Sequence, residues 1–224
     1  MQFDRLKKII SESDFLKIAN AKVVIVGVGG VGGAVLEGLV RSGIRNIKII
    51  DNDNVDITNL NRQIITNMDN IGFKKVDVAE KRAKSINPEC NITALATFLT
   101  KNNLEILNDY DYIIDACDTI TTKKDIIKYA FNNNRKLITC LGTGNRFDPT
   151  KLKITTLDKT MNDPVAKVMR KIVKDEHINL KNCVVLASDE LPKKVSDRVP
   201  GSTPFVPNAA GFIIASHVIS DLIR

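Results

Sequence analysis

Residues 22–42 read KVVIVGVGGVGGAVLEGLVRS, and they predict a strand, a glycine turn and a helix in immediate succession. KVVIVG is short, β-branched and bounded by glycine, which suits a buried strand. GVGGVG, from Gly27 to Gly32, follows it. Glycine lets the backbone turn tightly and approach a phosphate. The helix expected over 31–42, ending at Gly43, would then aim free amides and a dipole of about half a positive charge at that anion. Asp51 ends the next strand-like run, NIKIID, 19 residues beyond Gly32 (51 − 32), where a carboxylate accepts ribose hydroxyls. An adenosine nucleotide is therefore expected. The same fingerprint occurs in NAD enzymes, flavoproteins and some ATP users, and in a bare tight turn.

Outward from this unit, apolar runs alternate with segments of helical period. An amphipathic segment covers 4–19. A loop rich in Asn and Asp runs to Arg62, a helix over 74–85 stops before Pro88, and NITALA, DYIIDA and RKLITC supply further strands. The alternation predicts an α/β protein, a Rossmann-like, mostly parallel sheet with helices on both faces. Past Asp148-Pro149 the pattern changes to a strand at 152–156, a helix at 164–175, the strand NCVVLA and a last helix at 208–223. We therefore divide the chain into residues 1–148, a nucleotide-binding domain, and 149–224, a C-terminal strand-helix extension on the same core.

Composition narrows the function. The 224 residues are 43% hydrophobic and 26% charged, a normal globular balance. The four cysteines, Cys90, Cys117, Cys140 and Cys183, form no CxxC pair, so neither a zinc knuckle nor a redox dithiol is encoded locally. The longest apolar candidate, AAGFIIASHVI, is interrupted by Ser216 and His217 and falls short of the about 18 residues of a membrane span. The amino terminus, MQFDRLKKII, carries charge where a signal peptide needs an apolar stretch. A soluble, cytoplasmic protein with reduced thiols and no membrane association is expected. The net charge of +7 favours an anionic partner, nucleotide or nucleic acid alike.

The choice among nucleotides rests on DNDNVDITNLNRQ (51–63), IGFKKV (71–76) and IIDACDT (113–119). A dehydrogenase has little use for Arg62, Lys74 and Lys75. A reaction that breaks the bond between the α and β phosphates does, because charge accumulates on the departing pyrophosphate. Asp115 and Asp118 fall at the carboxyl edge of the sheet, where open α/β sheets bind ligands and where a carboxylate suits magnesium.

These motifs resemble the adenylating fold shared by MoeB, ThiF and the ubiquitin-activating enzymes. GTGNRFDPTKLKI, KTMNDPVAKVMRK and PGSTPFVPNAAGFIIAS extend the resemblance to the ATP-dependent tRNA threonylcarbamoyladenosine dehydratases within that superfamily. The resemblance implies that Gly27, Gly29, Gly30 and Gly32 with their loop amides meet the ATP phosphates and that Asp51 meets the ribose. Asp53, Asn61 and Thr119 join the nucleotide site, and Asn59, Arg62 and Lys75 hold the triphosphate. Asp118 binds the Mg2+ that bridges phosphates. Arg5 matches an arginine that related dimeric enzymes send into the partner's ATP site, although Gln2 stands where the family usually shows arginine. Arg62, Lys75, Asp118 and Arg5 are thus the implied catalytic set.

The implied reaction adenylates the threonyl carboxylate of the modified adenosine beside the anticodon of tRNA, after which a nucleophile of the same base closes a ring and releases AMP. A homodimer is implied, and a sulfur-transfer protein partner is known for some relatives. Two alternatives stay open. One is an adenylyltransferase activating the carboxyl terminus of a ubiquitin-like sulfur carrier, disfavoured by the missing CxxC pairs. The other is an NAD-linked oxidoreductase or noncatalytic nucleotide module, disfavoured by Arg62, Lys75 and Asp118. Candidate tRNA contacts are Arg146, Lys151, Lys153, Lys167, Arg170, Lys171, Lys174, Lys193 and Lys194, with Phe147 and Phe205 for stacking.

Overall fold

Every run predicted above as a strand becomes one in the computed structural model, which describes residues 2–196 and 199–224. The strands are β1 (Lys22–Val26), β2 (Asn46–Ile50), β3 (Asn91–Leu95), β4 (Tyr112–Asp115), β5 (Lys136–Cys140), β6 (Leu152–Thr156) and β7 (Val184–Ser188). They form one seven-stranded sheet in the order β3-β2-β1-β4-β5-β7-β6. All neighbouring pairs are parallel except β6 with β7 at the edge. The chain leaves β1 toward β2 on one side and enters β4 on the other, so the order reverses between β1 and β4. Such a switch opens a crevice at the carboxyl ends of the strands.

The period of two along each strand sorts side chains to two faces. Val23 and Ile25 of β1 join the core under one helical layer, while Val24 and Val26 join the other. Among the described residues six α-helices cover these faces: α1 (Glu12–Asn20), α2 (Gly30–Arg41), α3 (Lys75–Ile86), α4 (Ile120–Asn132), α5 (Pro164–Asp175) and α6 (Phe205–Ile223). The residue 149–224 part thus adds β6 and β7 to the same sheet and lays α6 against α2. Helix α6 is long and apolar enough to cross a membrane by length and composition. Here its apolar side chains Val206, Ile214 and Val218 are buried in the core instead. A Cβ on Gly211 would sit 2.4 Å from the Val31 carbonyl oxygen and 2.5 Å from Ala34 Cβ, so glycine is what lets the two helices touch backbone to backbone.

Two segments depart from the sequence-based expectation. Residues 4–19 do not form one amphipathic helix: a 3-10 turn, Leu6–Lys8, is followed by a break, and α1 starts anew with the Ser11 side chain accepting from Asp14 N at 3.0 Å. The Ser11 N-cap supplies a start signal that overrides the apolar period. Helix α6 begins at Phe205 rather than 208, because Pro207 lies in its first turn, where a missing N–H costs nothing.

Helices α2 and α3 are joined by a carboxylate shared between arginines. Glu37 accepts from Arg82 Nε at 3.0 Å and from Arg41 Nε at 2.8 Å. Burial pushes the Glu37 carboxyl up, yet the hydrogen bonds from Arg82 and Arg41 outweigh it and hold the group below its ordinary value. A depressed carboxylate stabilises the fold above its unfolded pKa and loses that contribution as pH falls through the folded one. Since the two guanidinium groups are about half exposed, the contribution is about 1 kcal/mol. Chemical denaturation across the acid range should show Glu37→Gln with lower stability at neutral pH and a shallower acid loss than the parent chain.

Candidate active site

The glycine turn lies at the mouth of the crevice. Gly27 adopts φ +88°, and a Cβ there would come within 2.9 Å of the Ala116 carbonyl oxygen and the Cys117 nitrogen of the neighbouring strand end. A Cβ on Gly32 would fall 1.8 Å from the Gly27 carbonyl oxygen, so Gly32 serves turn-to-helix packing and does not line the cavity. Gly29 and Gly30 do line it, where α2 starts and the first helical amides have no partner within the helix. The cavity measures about 840 Å³, within the range of nucleotide-sized sites.

Most of the expected nucleotide residues converge on this one hollow: Asp51, Asp53, Asn59, Arg62, Lys75, Asp118 and Thr119. Asp51 already has work in the chain, since its two oxygens accept from Val28 N and Asp53 N, both at 2.9 Å. It therefore fixes the glycine turn, with lone pairs to spare for ribose hydroxyls. Lys75, the first residue of α3, is buried and reaches Asp53 Oδ2 at 2.7 Å. Asn59 closes a capping box by accepting from Asp56 N at 3.1 Å. Arg62 donates to Thr58 O at 2.9 Å and to Asn61 Oδ1 at 3.1 Å, leaving guanidinium donors for a phosphate.

The structure corrects several expectations. Asn61 lies outside the cavity lining and donates to Ser202 O at 3.0 Å, tying its loop to the 199–204 segment. Asp115 does not present a carboxylate at the sheet edge. It is fully buried and forms an ion pair with Lys123 Nζ at 3.0 Å. Asp118 is exposed, and its oxygen accepts only a long 3.4 Å bond from Thr119 Oγ1 among the hydrogen bonds described. It provides no side-chain cap for α4. Arg5 is exposed and does not line its own chain's cavity. Arg146 is not a surface cation: it is buried against Ser188 O (3.0 Å), Asn162 O (3.1 Å) and Asp163 Oδ2 (3.5 Å). Arg170 turns back to the Thr160 carbonyl and hydroxyl, and Lys153 pairs with Asp189, whereas Lys167, Lys171 and Lys174 stay exposed.

Several cavity residues, among them Gln63, Lys123, Asp163 and Arg146, were not expected in the nucleotide site. Gln63 is buried with its Oε1 unpartnered, and its position beside Arg62 in NRQ was the available signal. Lys123 sits one helical turn past Thr119, and its ammonium also donates to Cys140 O at 2.7 Å. Burial alone would push it down, but the Asp115 carboxylate outweighs that and holds it above its ordinary value. Asp163 caps α5 through Ala166 N at 3.1 Å and accepts from Gly142 N at 3.1 Å; Asp before Pro164 was its cue. Arg146 joins it, with Nε unpartnered at the cavity wall.

Magnesium fits the donor set in one way only. Among the described residues no group of three or more His, Cys, Asp or Glu is placed to hold a metal, so a protein-only cage is absent there. The exposed carboxylate of Asp118, on the wall of a nucleotide-sized cavity, matches the usual magnesium arrangement, in which phosphates and water supply the other ligands.

Comparison with known proteins agrees with this geometry. The ThiF family model matches residues 3–192. The tRNA threonylcarbamoyladenosine dehydratase of Bacillus subtilis (strain 168) is 38% identical over 100% of this chain and 95% of its own length; that of Escherichia coli (strain K12) is 32% identical over 99% and 93%. The crystal structure of the E. coli dehydratase in complex with AMP superposes with a TM-score of 0.94 at 33% identity, covering 99% of this chain and 94% of that one. An ATP complex of the same enzyme gives 0.93. The chain belongs to the ThiF family, in the group formed by the tRNA threonylcarbamoyladenosine dehydratases.

Proposed function

We propose that this chain is an ATP-dependent tRNA threonylcarbamoyladenosine dehydratase, and the observation that carries the proposal is the convergence of the glycine turn, Arg62, Lys75 and Asp118 on a single cavity. In the proposed reaction an oxygen of the threonyl carboxylate attacks the α phosphorus of ATP. The bond from that phosphorus to the bridging oxygen breaks, and pyrophosphate leaves with the electron pair. A nucleophile within the same modified base then attacks the acyl carbon, AMP departs with one former carboxylate oxygen, and the nucleophile's proton passes to solvent. The net change in the base is loss of water. Tethering of both reacting groups in one base favours the second step.

The protein's task is charge placement. Helix α2 directs its first amides at the phosphates, while Arg62 and Lys75 offset the charge growing on pyrophosphate. Asp53 holds the Lys75 ammonium in place, and Asp51 fixes the glycine turn. Asp118 would hold magnesium, which when bound neutralises phosphate charge. Arg5, exposed and outside the lining of its own chain's cavity, would act only in the site of a second copy. A monomer in solution with undiminished turnover would rule that role out.

No cysteine nucleophile is required. Burial pushes the Cys90 and Cys183 thiols up to about 11 and that of Cys140 to about 12. Burial and the Asp115 carboxylate raise Cys117 further. Raised thiols stay protonated at neutral pH and react slowly, so iodoacetamide at neutral pH should leave turnover intact; loss of activity that ATP protects against would point to a covalent intermediate. The four unpaired cysteines also accord with the cytoplasmic setting we propose.

Pyrophosphate exchange tests the proposed function directly. Exchange into ATP should depend on tRNA carrying threonylcarbamoyladenosine and be absent with unmodified tRNA or a ubiquitin-like protein. Exchange driven by the ubiquitin-like carboxyl terminus would instead identify a sulfur-carrier adenylyltransferase.

A further inference from the structure

We propose that Phe147 and Phe205 form a stacking platform at the cavity mouth for an unpaired anticodon-loop base next to the modified adenosine, with Lys193 beside it for the RNA backbone. The proposal rests on the dehydratase reading of the site. Phe147 follows the buried cavity residue Arg146, and Phe205 opens α6 two positions before the cavity residue Pro207. Their ring centroids lie 5.5 Å apart at an interplanar angle of 70°. The side chains nevertheless remain 55% and 51% exposed, so open ring surface faces solvent close in the chain to the cavity-lining residues.

Exposed phenylalanines are unremarkable singly; two in edge contact make a patch of the kind that marks an interaction surface, and the exposed Val199 belongs to the cavity lining. Its backbone is held in advance. The Glu190 carboxylate accepts from Phe147 N at 3.0 Å and Asp148 N at 2.9 Å. Asn145, at φ 59°, latches three segments: it donates N–H to Gly201 O (2.8 Å), accepts from Gly201 N at Oδ1 (2.6 Å), and accepts from Lys193 N at its carbonyl (2.7 Å). The Lys193 ammonium lies 5.2 Å from the Phe147 ring centroid, and Lys194 is exposed beside it in the chain.

Interleaved cations and aromatic faces fit single-stranded RNA, whose bases offer ring faces and whose backbone offers phosphates. The reaction creates the need: drawing one base into the cavity strips its neighbour of a stacking partner, at a cost of a few kcal/mol. A protein platform at the mouth would replace the lost face.

The test uses an anticodon stem-loop carrying threonylcarbamoyladenosine with 2-aminopurine at the adjacent position. Binding to the parent protein should change the 2-aminopurine fluorescence. Phe147→Leu and Phe205→Leu keep the apolar bulk but lose the ring, and should raise KM for the stem-loop roughly tenfold and abolish the fluorescence change, with kcat and ATP affinity unchanged. Phe147→Trp should retain both signals. Leucine variants with parental KM and parental fluorescence would overturn the platform, as would a shift of the monomer–dimer equilibrium at unchanged KM, which would make the patch an interface between copies. Failure of the dehydratase reading is distinct: the parent protein itself would then release no AMP with the modified stem-loop.

Discussion

Arg62→Ala is expected to lower turnover by about a hundredfold or more, the loss seen when one preorganised stabiliser of developing charge is removed. That factor corresponds to about 2.7 kcal/mol of transition-state stabilisation. The fold should survive, because the Arg62 side chain's described bonds go only to Thr58 O and Asn61 Oδ1 on its own loop. Lys75→Ala is expected to match it in rate. Its effect on stability should be larger, since Lys75 is buried and its loss leaves Asp53 without a partner at 2.7 Å. Single-turnover measurement of AMP formation, with ATP affinity determined separately, distinguishes the outcomes. A fall in kcat at near-parental ATP affinity places both cations at the departing pyrophosphate. Parental turnover in either variant would remove that residue from the proposed machinery, and a pure rise in KM for ATP would confine it to ground-state binding. Asp118→Ala belongs to the same series, and its defect should deepen as magnesium is lowered.

The second large effect concerns stability. Lys123→Met should destabilise the protein by about 3–5 kcal/mol, because it leaves a buried carboxylate uncompensated. Asp115 is 0% exposed and Lys123 only 2%. Lys123 is the charged partner of Asp115 Oδ1, while Asp115 Oδ2 has none. Cys140 O would lose its 2.7 Å donor as well. Exchanging both members, Asp115→Asn with Lys123→Met, should recover much of the loss, since neither position then buries an uncompensated charge. Urea titration of the two single variants and the double variant gives the coupling. Strict additivity would show that the pair contributes nothing as a pair. The ion pair also lies beneath the nucleotide cavity, whose wall includes Lys123, so the single variant should lose turnover through the floor of the site.

The apolar runs predicted as strands were legible because a buried parallel strand must be short, β-branched and bounded by turn residues. KVVIVG and NIKIID read that way at once, and the glycine turn between strand and helix announced the phosphate end of the sheet. The cavity-lining residues legible in sequence were Gly29, Gly30 and Asp51 at that turn, together with Asp53, Asn59, Arg62, Lys75, Asp118 and Thr119 in the quoted motifs. Helix boundaries were less legible where a cap competed with the apolar period, as at Ser11, or where a proline occupied the first turn, as in α6. Arg146 looked like a surface cation because nothing local in GTGNRFDP tells a solvated arginine from one whose partners, Asp163 and Ser188, arrive from elsewhere in the chain.

By itself the amino-acid sequence determined the α/β class, the strand-turn-helix at the cavity, and two of the cations, Arg62 and Lys75, that line it. These depend on interactions between residues near one another in the chain, where spacing and residue type suffice. Only the tertiary structure decided the strand order, the antiparallel edge, the removal of Asp115 into an ion pair with Lys123, and the meeting of residues 142–146, 163–165 and 199–202 at the far wall of the cavity. Burial and long-range partners determine whether a charged side chain faces a ligand or the core. Both are set by where distant segments pack, which local pattern does not encode.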